Sequence, residues 1–246
     1  DITDAEQVQQ ACQGAALIIN LVGIMHESPP RYTFDSVQHQ GARNVAQGAW
    51  QAGARLVHVS AIGADPHSTI PYPRTKGLGE LAVRDAHPKA VIFRPSIVFG
   101  KEDDFFNRFA RLARFLPVMP VFGGGHTKFQ PVYVNDLAAG LCRVAWTDEY
   151  SGKIIEAGGP RVYSYREIME LTLKESGLHR PIVSLPWSVS AAQAWVLEKL
   201  PPNLFTLTQD QVNLLKIDNV VNSHAMTLSD LGIPLTPAEA VLPIWM

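Results

Sequence analysis

Three residues whose types and spacing suit proton transfer lie close together in the sequence: Ser60, Tyr72 and Lys76. Tyr72 and Lys76 are four positions apart, so on a helix both side chains project from one face. A nearby ammonium favours the phenolate, and we therefore expect Lys76 to lower the pKa of Tyr72 toward the range used in acid–base catalysis. Ser60 would hold a carbonyl oxygen beside that proton. A Tyr-x-x-x-Lys spacing also arises by chance, so the prediction depends on the surrounding elements.

Those elements alternate between strands and helices. Residues 56–60 predict a short strand that ends at Ser60, and residues 72–86 predict the next helix. The alternation extends on both sides, with helices at 5–13 and 32–51 and strands at 16–22 and 90–93. It predicts a parallel sheet with helices on both faces, a doubly wound α/β fold. The unbroken apolar run at 16–22 predicts a strand buried on both faces.

Beyond Gly100 the alternation becomes less regular. A helix at 103–115, a strand at 129–134, a helix at 136–146 and a strand at 153–157 are predicted, followed by mainly helical patterns broken by prolines. We therefore expect residues 1–100, joined by 129–157, to form one domain, and 101–246 to form mainly a smaller, helical C-terminal lobe. Gly123, Gly124 and Gly125 precede a strand rather than a helix, which predicts a turn.

Composition excludes several classes of function. The 246 residues carry 21 Lys and Arg against 23 Asp and Glu, a formal charge of −2, without the basic face that nucleic-acid binding requires. The longest apolar runs fall well short of the ~20 residues that span a bilayer. Cys12 and Cys142 indicate neither a disulfide framework nor a zinc site, and they fit a reducing compartment. No metal site is predicted, and we expect solvated or capping roles for four histidines: His26, His58, His67 and His126.

With these elements in place, the sequence resembles the short-chain dehydrogenase/reductase superfamily, in its extended or atypical branch. The segments that carry the resemblance are Asn20 to Gly23, Leu56 to Asp65, Tyr72 to Glu80 and Phe93 to Gly100. Within that branch, the strings from His58 to Asp65 and from Phe129 to Asp136 are most similar to bacterial relatives of the nucleotide-binding accessory subunit of mitochondrial complex I. These proteins are of the NAD-dependent epimerase/dehydratase type.

The resemblance implies a Rossmann-type site for NAD or NADP. Asp1 and Ile2 match the stretch that touches the adenine in the family. Val22, Gly23 and Ile24 match the turn after the fourth strand, which lines the ribose and phosphate side of the cofactor.

The resemblance also assigns the reacting groups. Tyr72 and Lys76 match the catalytic pair, Lys76 also matches the ligand of the nicotinamide ribose, and Ser60 matches the hydroxyl that orients the substrate. The loop that borders the nicotinamide ring is matched by Pro95, Ser96, Ile97 and Val98.

One family feature does not occur in the sequence. The glycine-rich turn that holds the pyrophosphate at a helix N-terminus has no counterpart here. The family register therefore predicts an N-terminally truncated copy lacking a βαβαβ portion of on the order of 60 residues. The residue that selects NAD or NADP would lie in that portion, so the preference cannot be read. Truncation also predicts an unpaired, apolar edge on the strand at 16–22.

The sequence and the resemblance are consistent with two alternative functions. The first is an oxidoreductase or epimerase-like enzyme that transfers hydride at a carbon bearing oxygen, acting on an unnamed small molecule in the cytoplasm. The second is a non-catalytic NADPH-binding structural or assembly protein of a respiratory or quinone-related complex, peripheral to the inner membrane. Apolar residues between Trp187 and Leu215 are expected to cover the substrate cleft, with a membrane or isoprenoid contact as the alternative. A homo-oligomer remains open.

Overall fold

The computed structural model describes residues 1–189 and 209–246, which divide into two compact units. Unit 1 contains Asp1–Pro95, Leu137–Ala157 and Asn222–Ile233. Unit 2 contains Ser96–Asp136, Gly158–Val221 and Pro234–Met246. The chain thus passes more than once between the two sets of residues.

Unit 1 is built on a five-stranded parallel sheet in the order β1-β2-β3-β8-β11. Its parallel strands alternate with helices, which confirms the doubly wound α/β prediction. The strands are β1 (Leu17–Asn20), β2 (Arg55–Val59), β3 (Val91–Pro95), β8 (Ile154–Ala157) and β11 (Met226–Thr227). The helices are α1 (Ala5–Cys12), a π-helical segment (Asp35–Gly41), α2 (Ala42–Gln51), α3 (Pro71–Ala86) and most of α5 (Val134–Ala145).

Local sequence signals explain where these elements begin and end. The Asp4 carboxylate accepts the N–H groups of Glu6 and Gln7 at 3.1 Å, so it caps α1. Gly53, with φ of 66°, follows α2 in a conformation that glycine adopts without strain. A buried cluster from α2, such as Val45 and Ala46, packs on Leu56 of β2 and holds the helices against the sheet.

The prediction that the first strand is buried on both faces is wrong. Ile19 is 39% exposed, whereas its neighbour Asn20 is buried. Within the described residues β1 pairs with β2 alone, so it is an edge strand covered on one face. The expected apolar edge is therefore confirmed.

Among the residues that the structure describes, unit 2 contains three two-stranded sheets alongside its helices. Its sheets pair β4 with β7, β6 with β9, and β5 with β10. The elements are β4 (Val98–Phe99), α4 (Phe106–Phe115), β5 (Met119–Phe122), β6 (Lys128–Phe129), β7 (Val132–Tyr133), β9 (Tyr163–Ser164), α6 (Tyr165–Glu175), β10 (Ile182–Leu185), α7 (Gln209–Leu214) and α8 (Ala238–Val241), with 3₁₀ turns at Gly123–Gly125 and Leu242–Ile244.

Two boundaries in unit 2 differ from prediction for local reasons. Helix α4 begins at Phe106 rather than Asp103, because the Asp103 carboxylate accepts the Phe105 and Phe106 N–H groups at 2.8 and 2.6 Å and so acts as a cap. The strand predicted at 129–134 is split into β6 and β7 at Pro131, which has no N–H to donate. All three glycines of Gly123–Gly125 have positive φ and form a turn, as predicted.

Among the described residues, no helix combines the length and apolar character needed to cross a bilayer. No group of His, Cys, Asp or Glu in the same residues is arranged to hold a metal ion. Most of the apolar stretch from Trp187 to Leu215 lies outside the described residues, so its predicted role is not examined by the structure.

Candidate active site

The reacting residues of the sequence analysis lie at the carboxyl end of β2 and at the start of α3, all within unit 1. Ser60 directly follows β2, and Tyr72 and Lys76 lie in the first two turns of α3. Pro71 and Pro73 fit there because the first N–H groups of a helix have no partner inside it.

Lys76 is the most constrained of the three. Its side chain is buried, and its Nζ donates to the Val59 carbonyl oxygen at 3.4 Å. A Cβ atom added to Gly23 would lie 3.1 Å from that Nζ, so the glycine lets the turn after β1 approach the ammonium. Burial lowers the pKa of Lys76 to about 8, an effect that the nearby Glu80 carboxylate partly opposes. The structure therefore brings Lys76 to the turn at Gly23.

Tyr72 has the opposite electrostatic character from the one expected. Burial raises its pKa to about 12, whereas the sequence analysis expected Lys76 to lower it. Its ring packs edge-on against Phe34, with centroids 5.8 Å apart. Tyr72 is consequently a neutral phenol across the physiological range, which suits a proton donor.

Ser60 places a hydroxyl beside this end of the sheet. Its backbone N–H donates to the Phe93 carbonyl oxygen at 2.7 Å, which fixes it next to β3. Its side-chain Oγ is buried and has no hydrogen-bond partner in the part of the chain that the structure describes. A buried polar atom of this kind is uncommon and marks a place where a ligand or water completes the bonding.

The sequence analysis missed a buried pair beneath these residues, formed by Asn20 and His58. Asn20 Nδ2 donates to His58 Nδ1 at 3.0 Å, and Asn20 Oδ1 accepts the Val22 N–H at 3.1 Å. The prediction that His58 is solvated or capping is wrong, because its side chain is only 2% exposed. Strand alternation is the signal that identifies it: Leu56, His58 and Ser60 share one face of β2.

A second missed feature is an ion-pair network between the sheet and α3. Arg94 on β3 binds Glu80 on α3 through two hydrogen bonds of 2.9 and 2.7 Å, and it approaches Glu156 on β8 at 3.5 Å. The Glu80 side chain is 5% exposed and that of Glu156 10%. Glu156 also accepts the Asn222 N–H at 2.8 Å. The network fixes the helix that carries Tyr72 and Lys76 to the sheet.

Replacing Arg94 by methionine is expected to lower the free energy of unfolding by about 3 kcal/mol, because two buried carboxylates lose their cation. The Arg94→Met, Glu80→Gln, Glu156→Gln triple variant is expected to recover part of that loss. Chemical denaturation measures both values. A single variant as stable as the wild type would show that the network does not hold α3.

The resemblance assigns Asp1 and Ile2 to the adenine end of the cofactor, and both form hydrogen bonds to other residues of unit 1. The Asp1 carboxylate pairs with Arg31 at 2.6 Å and accepts the Tyr32 hydroxyl at 3.1 Å. Ile2 packs against Gly41, and its carbonyl oxygen accepts the Asn44 amide at 3.0 Å. Arg31 was not singled out by the sequence analysis, and no motif signals it.

The resemblance assigns the turn at 22–24 and the loop at 95–98 to the remaining parts of the cofactor. The turn and Pro95 belong to unit 1, and the rest of the loop belongs to unit 2. Val22 and Gly23 are exposed and Ile24 is half-buried after β1, and Pro95 ends β3, where its carbonyl oxygen accepts the Ile62 N–H at 2.9 Å.

The other three residues of this loop, Ser96, Ile97 and Val98, form hydrogen bonds and strand pairing within unit 2. Ser96 Oγ donates to the Asn219 side-chain oxygen at 2.6 Å, the Ile97 carbonyl accepts the Val132 N–H at 2.9 Å, and Val98 pairs with Val132 between β4 and β7.

Unit 1 also has a cavity of about 420 Å³ at the amino ends of β2 and β3, away from these residues. It is lined by Trp50, Arg55, His87, Lys89 and Asp148, among others. Arg55 pairs with Asp148 at 3.1 Å, and the carboxyl ends of α2, α3 and α5 meet this end of the sheet. Its cations therefore complement helix ends, and the cavity does not coincide with the candidate site.

Residues 64–163 match the RmlD substrate binding domain family. The chain is 33% identical over 245 residues to the mitochondrial protein named NADH dehydrogenase [ubiquinone] 1 alpha subcomplex subunit 9 of Arabidopsis thaliana, covering 95% of this chain and 60% of that protein. The Mus musculus protein of the same name is also 33% identical, with coverage of 97% and 63%.

Solved structures agree in fold. The dTDP-4-dehydrorhamnose reductase of Bacillus anthracis, determined in complex with NADP, is 22% identical, covers 77% of this chain and 73% of its own, and superposes with a TM-score of 0.67. The chain therefore has the fold of this reductase, and it is similar over nearly its whole length to the two mitochondrial subunits. It is a homologue of these mitochondrial subunits, and it spans about three fifths of the length of the curated relatives named above.

Proposed function

We propose that this protein is a member of the extended short-chain dehydrogenase/reductase superfamily and a nicotinamide-dinucleotide-dependent reductase or epimerase-like protein that acts at a carbon bearing oxygen. The observation that carries the proposal is the cluster of Ser60 and Lys76 at the carboxyl end of β2, with the neutral phenol of Tyr72 one turn away on α3. Ligands of parallel α/β sheets bind at this end of the strands. The substrate is an unidentified small molecule.

In this proposal each side chain has one task. A bound nicotinamide would supply or accept the hydride. When a carbonyl is reduced, Tyr72 donates its phenolic proton to the carbonyl oxygen, which becomes the hydroxyl of the product. Ser60 donates a hydrogen bond to the same oxygen and fixes its position. The phenolate left on Tyr72 takes up a proton from solvent, and the Lys76 ammonium binds ribose hydroxyls of the dinucleotide.

Several features of unit 1 fit the nicotinamide end of a dinucleotide. The buried Lys76 ammonium has donors to spare for ribose hydroxyls, and Gly23 leaves space beside it that a Cβ atom would fill. We propose that Val22, Ile24 and Pro95 line the same end, that Ser96, Ile97 and Val98 border the ring, and that Asp1 and Ile2 face the adenine. Relatives support a nicotinamide cofactor without deciding between NAD and NADP.

Replacing Lys76 by methionine is expected to raise the dissociation constants for NADPH and NADH at least about tenfold, because charge-assisted hydrogen bonds to ribose hydroxyls are lost. Tryptophan fluorescence quenching measures them, in the chain extended at Asp1 by the glycine-rich segment of a relative. Lys89→Met, which removes an exposed cation elsewhere in unit 1, is the control. If Lys76→Met and the wild type bind NADPH and NADH with equal affinity, Lys76 does not contact the dinucleotide.

The alternative is a structural protein that holds a dinucleotide without turnover and assembles with a respiratory complex at the inner membrane. The observation in its favour is the 33% identity to mitochondrial proteins named as complex I subunits. The two functions differ in redox change: the enzyme oxidises bound NADPH when a carbonyl substrate is added, and the assembly protein does not. Absorbance at 340 nm during a screen of sugar-nucleotide, ketone and quinone compounds distinguishes them.

A further inference from the structure

The pair of Asn20 and His58 has a defined protonation pattern. Asn20 Oδ1 accepts the Val22 N–H, which leaves the amide nitrogen facing His58 Nδ1 at 3.0 Å. An amide nitrogen only donates, so Nδ1 accepts and carries no proton. Burial and the charge of Lys76 lower the pKa of His58 to about 3, which keeps the ring neutral. Its single ring proton is therefore on Nε2.

That Nε2–H is buried and has no hydrogen-bond partner among residues 1–189 and 209–246. Two further donors lie on the same side of the sheet: the Lys76 ammonium, with one long bond to Val59, and the Ser60 hydroxyl, with none. The Glu80 carboxylate on the next turn of α3 is engaged by Arg94. The cluster is thus rich in donors and poor in acceptors.

We propose that His58, held in its Nε2–H tautomer by Asn20, is a positioning residue of the Lys76 site that selects ligands presenting an oxygen acceptor. The Asn20 amide sets which ring nitrogen donates and, through Val22, ties the turn at Gly23 to the same imidazole. A hydroxyl or carbonyl oxygen of a bound ligand, or a water in its place, would accept the hydrogen bond that Nε2–H leaves unmade. The ligand itself rests on the proposed function, whereas the tautomer and its link to Lys76 do not.

The first test is the wild-type chain alone. A two-bond ¹H–¹⁵N correlation spectrum assigned with His58→Gln is expected to show a protonated Nε2 and a bare Nδ1 at pH 7. A proton on Nδ1, or a doubly protonated ring, would overturn the proposal. This measurement needs neither cofactor nor turnover.

The second test reverses the tautomer with an isosteric change. In Asn20→Asp the carboxylate only accepts, so the ring proton is expected to move to Nδ1, and the added charge is expected to raise the pKa of Lys76. Competitive acetylation of the lysines across pH, read by peptide mass, reports the titration of Lys76. The titratable groups that interact with it are His58 on β2 and Glu80 on α3. Asn135→Asp, an exposed site in unit 2, controls for net charge.

Titration of Lys76 that is the same in Asn20→Asp and in wild type would overturn the coupling. In a dinucleotide-binding form, Asn20→Asp is also expected to weaken NADPH binding by about fivefold, the equivalent of one lost hydrogen bond. If the tautomer and the titration behave as expected while no form binds a dinucleotide, the inference about His58 stands and the proposed function fails.

Discussion

Replacing Tyr72 by phenylalanine is expected to lower kcat about 10²- to 10⁴-fold, the usual range for loss of a positioned proton donor. Burial keeps Tyr72 protonated, so wild-type enzyme carries the reacting proton throughout the working range. The Tyr72 hydroxyl has no hydrogen-bond partner in the described ranges, and its ring contact with Phe34 is available to phenylalanine. The variant should therefore fold and bind dinucleotide as the wild type does. Steady-state kinetics on a substrate found at 340 nm measure the loss.

Tyr32→Phe is the matched control, since it removes an exposed hydroxyl that binds Asp1 in the same unit. The wild-type pH profile adds a second check. Because the pKa of Lys76 is lowered to about 8, kcat/KM is expected to fall as pH rises through 8 and the ammonium is lost. Unchanged kcat in Tyr72→Phe would exclude Tyr72 as the proton donor and would favour the assembly function.

Acidification is expected to destabilise unit 1 through His58. The unfolded chain binds a proton at His58 near pH 6.5, whereas the folded chain binds it only near pH 3. The unfolded state therefore holds more protons in this window, and stability is lost as pH falls from 6.5 toward 3. At about 1.4 kcal/mol per pKa unit, the loss from this one group reaches about 4–5 kcal/mol. Urea denaturation at a series of pH values measures it.

In His58→Gln the contribution is absent, and stability is expected to depend on pH less steeply between 6.5 and 3. His67→Gln removes an exposed histidine and is expected to keep the wild-type slope. If His58→Gln and wild type show parallel slopes, His58 is protonated in the folded chain, and the neutral tautomer assigned to it is wrong.

The order of elements in unit 1 could be predicted because its signals are local. Asp4 caps α1, the glycines at 14 and 53 follow helices with positive φ, and β2 and β3 are short segments rich in Val, Ile, Leu and Phe. Whether β1 is buried on one face or on two depends on which strands and helices pack beside it. The apolar residues of the segment alone do not determine which elements these are. The boundaries of α4 and of β6 and β7 likewise depended on one carboxylate and one proline.

The sequence predicted which residues form the candidate site, but it did not predict their pKa values. The spacing of Tyr72 and Lys76 places them on one helix face, but burial determines their proton affinities, and burial depends on packing from distant segments such as Gly23 and Phe34. His58 could have been placed beside Ser60 by strand alternation alone. Its bond to Asn20 required the parallel register in which Asn20 lies opposite His58.

The central claim is that this chain forms part of a nicotinamide-dinucleotide site at the carboxyl end of its sheet. Titration with NADPH and NADH, followed by tryptophan fluorescence, tests it most directly, with the chain measured beside a version extended at Asp1 by the glycine-rich segment of a relative. The account predicts saturable binding by the extended version that Lys76→Met weakens. Absence of binding by both forms, with both shown to be folded, would contradict the dinucleotide site.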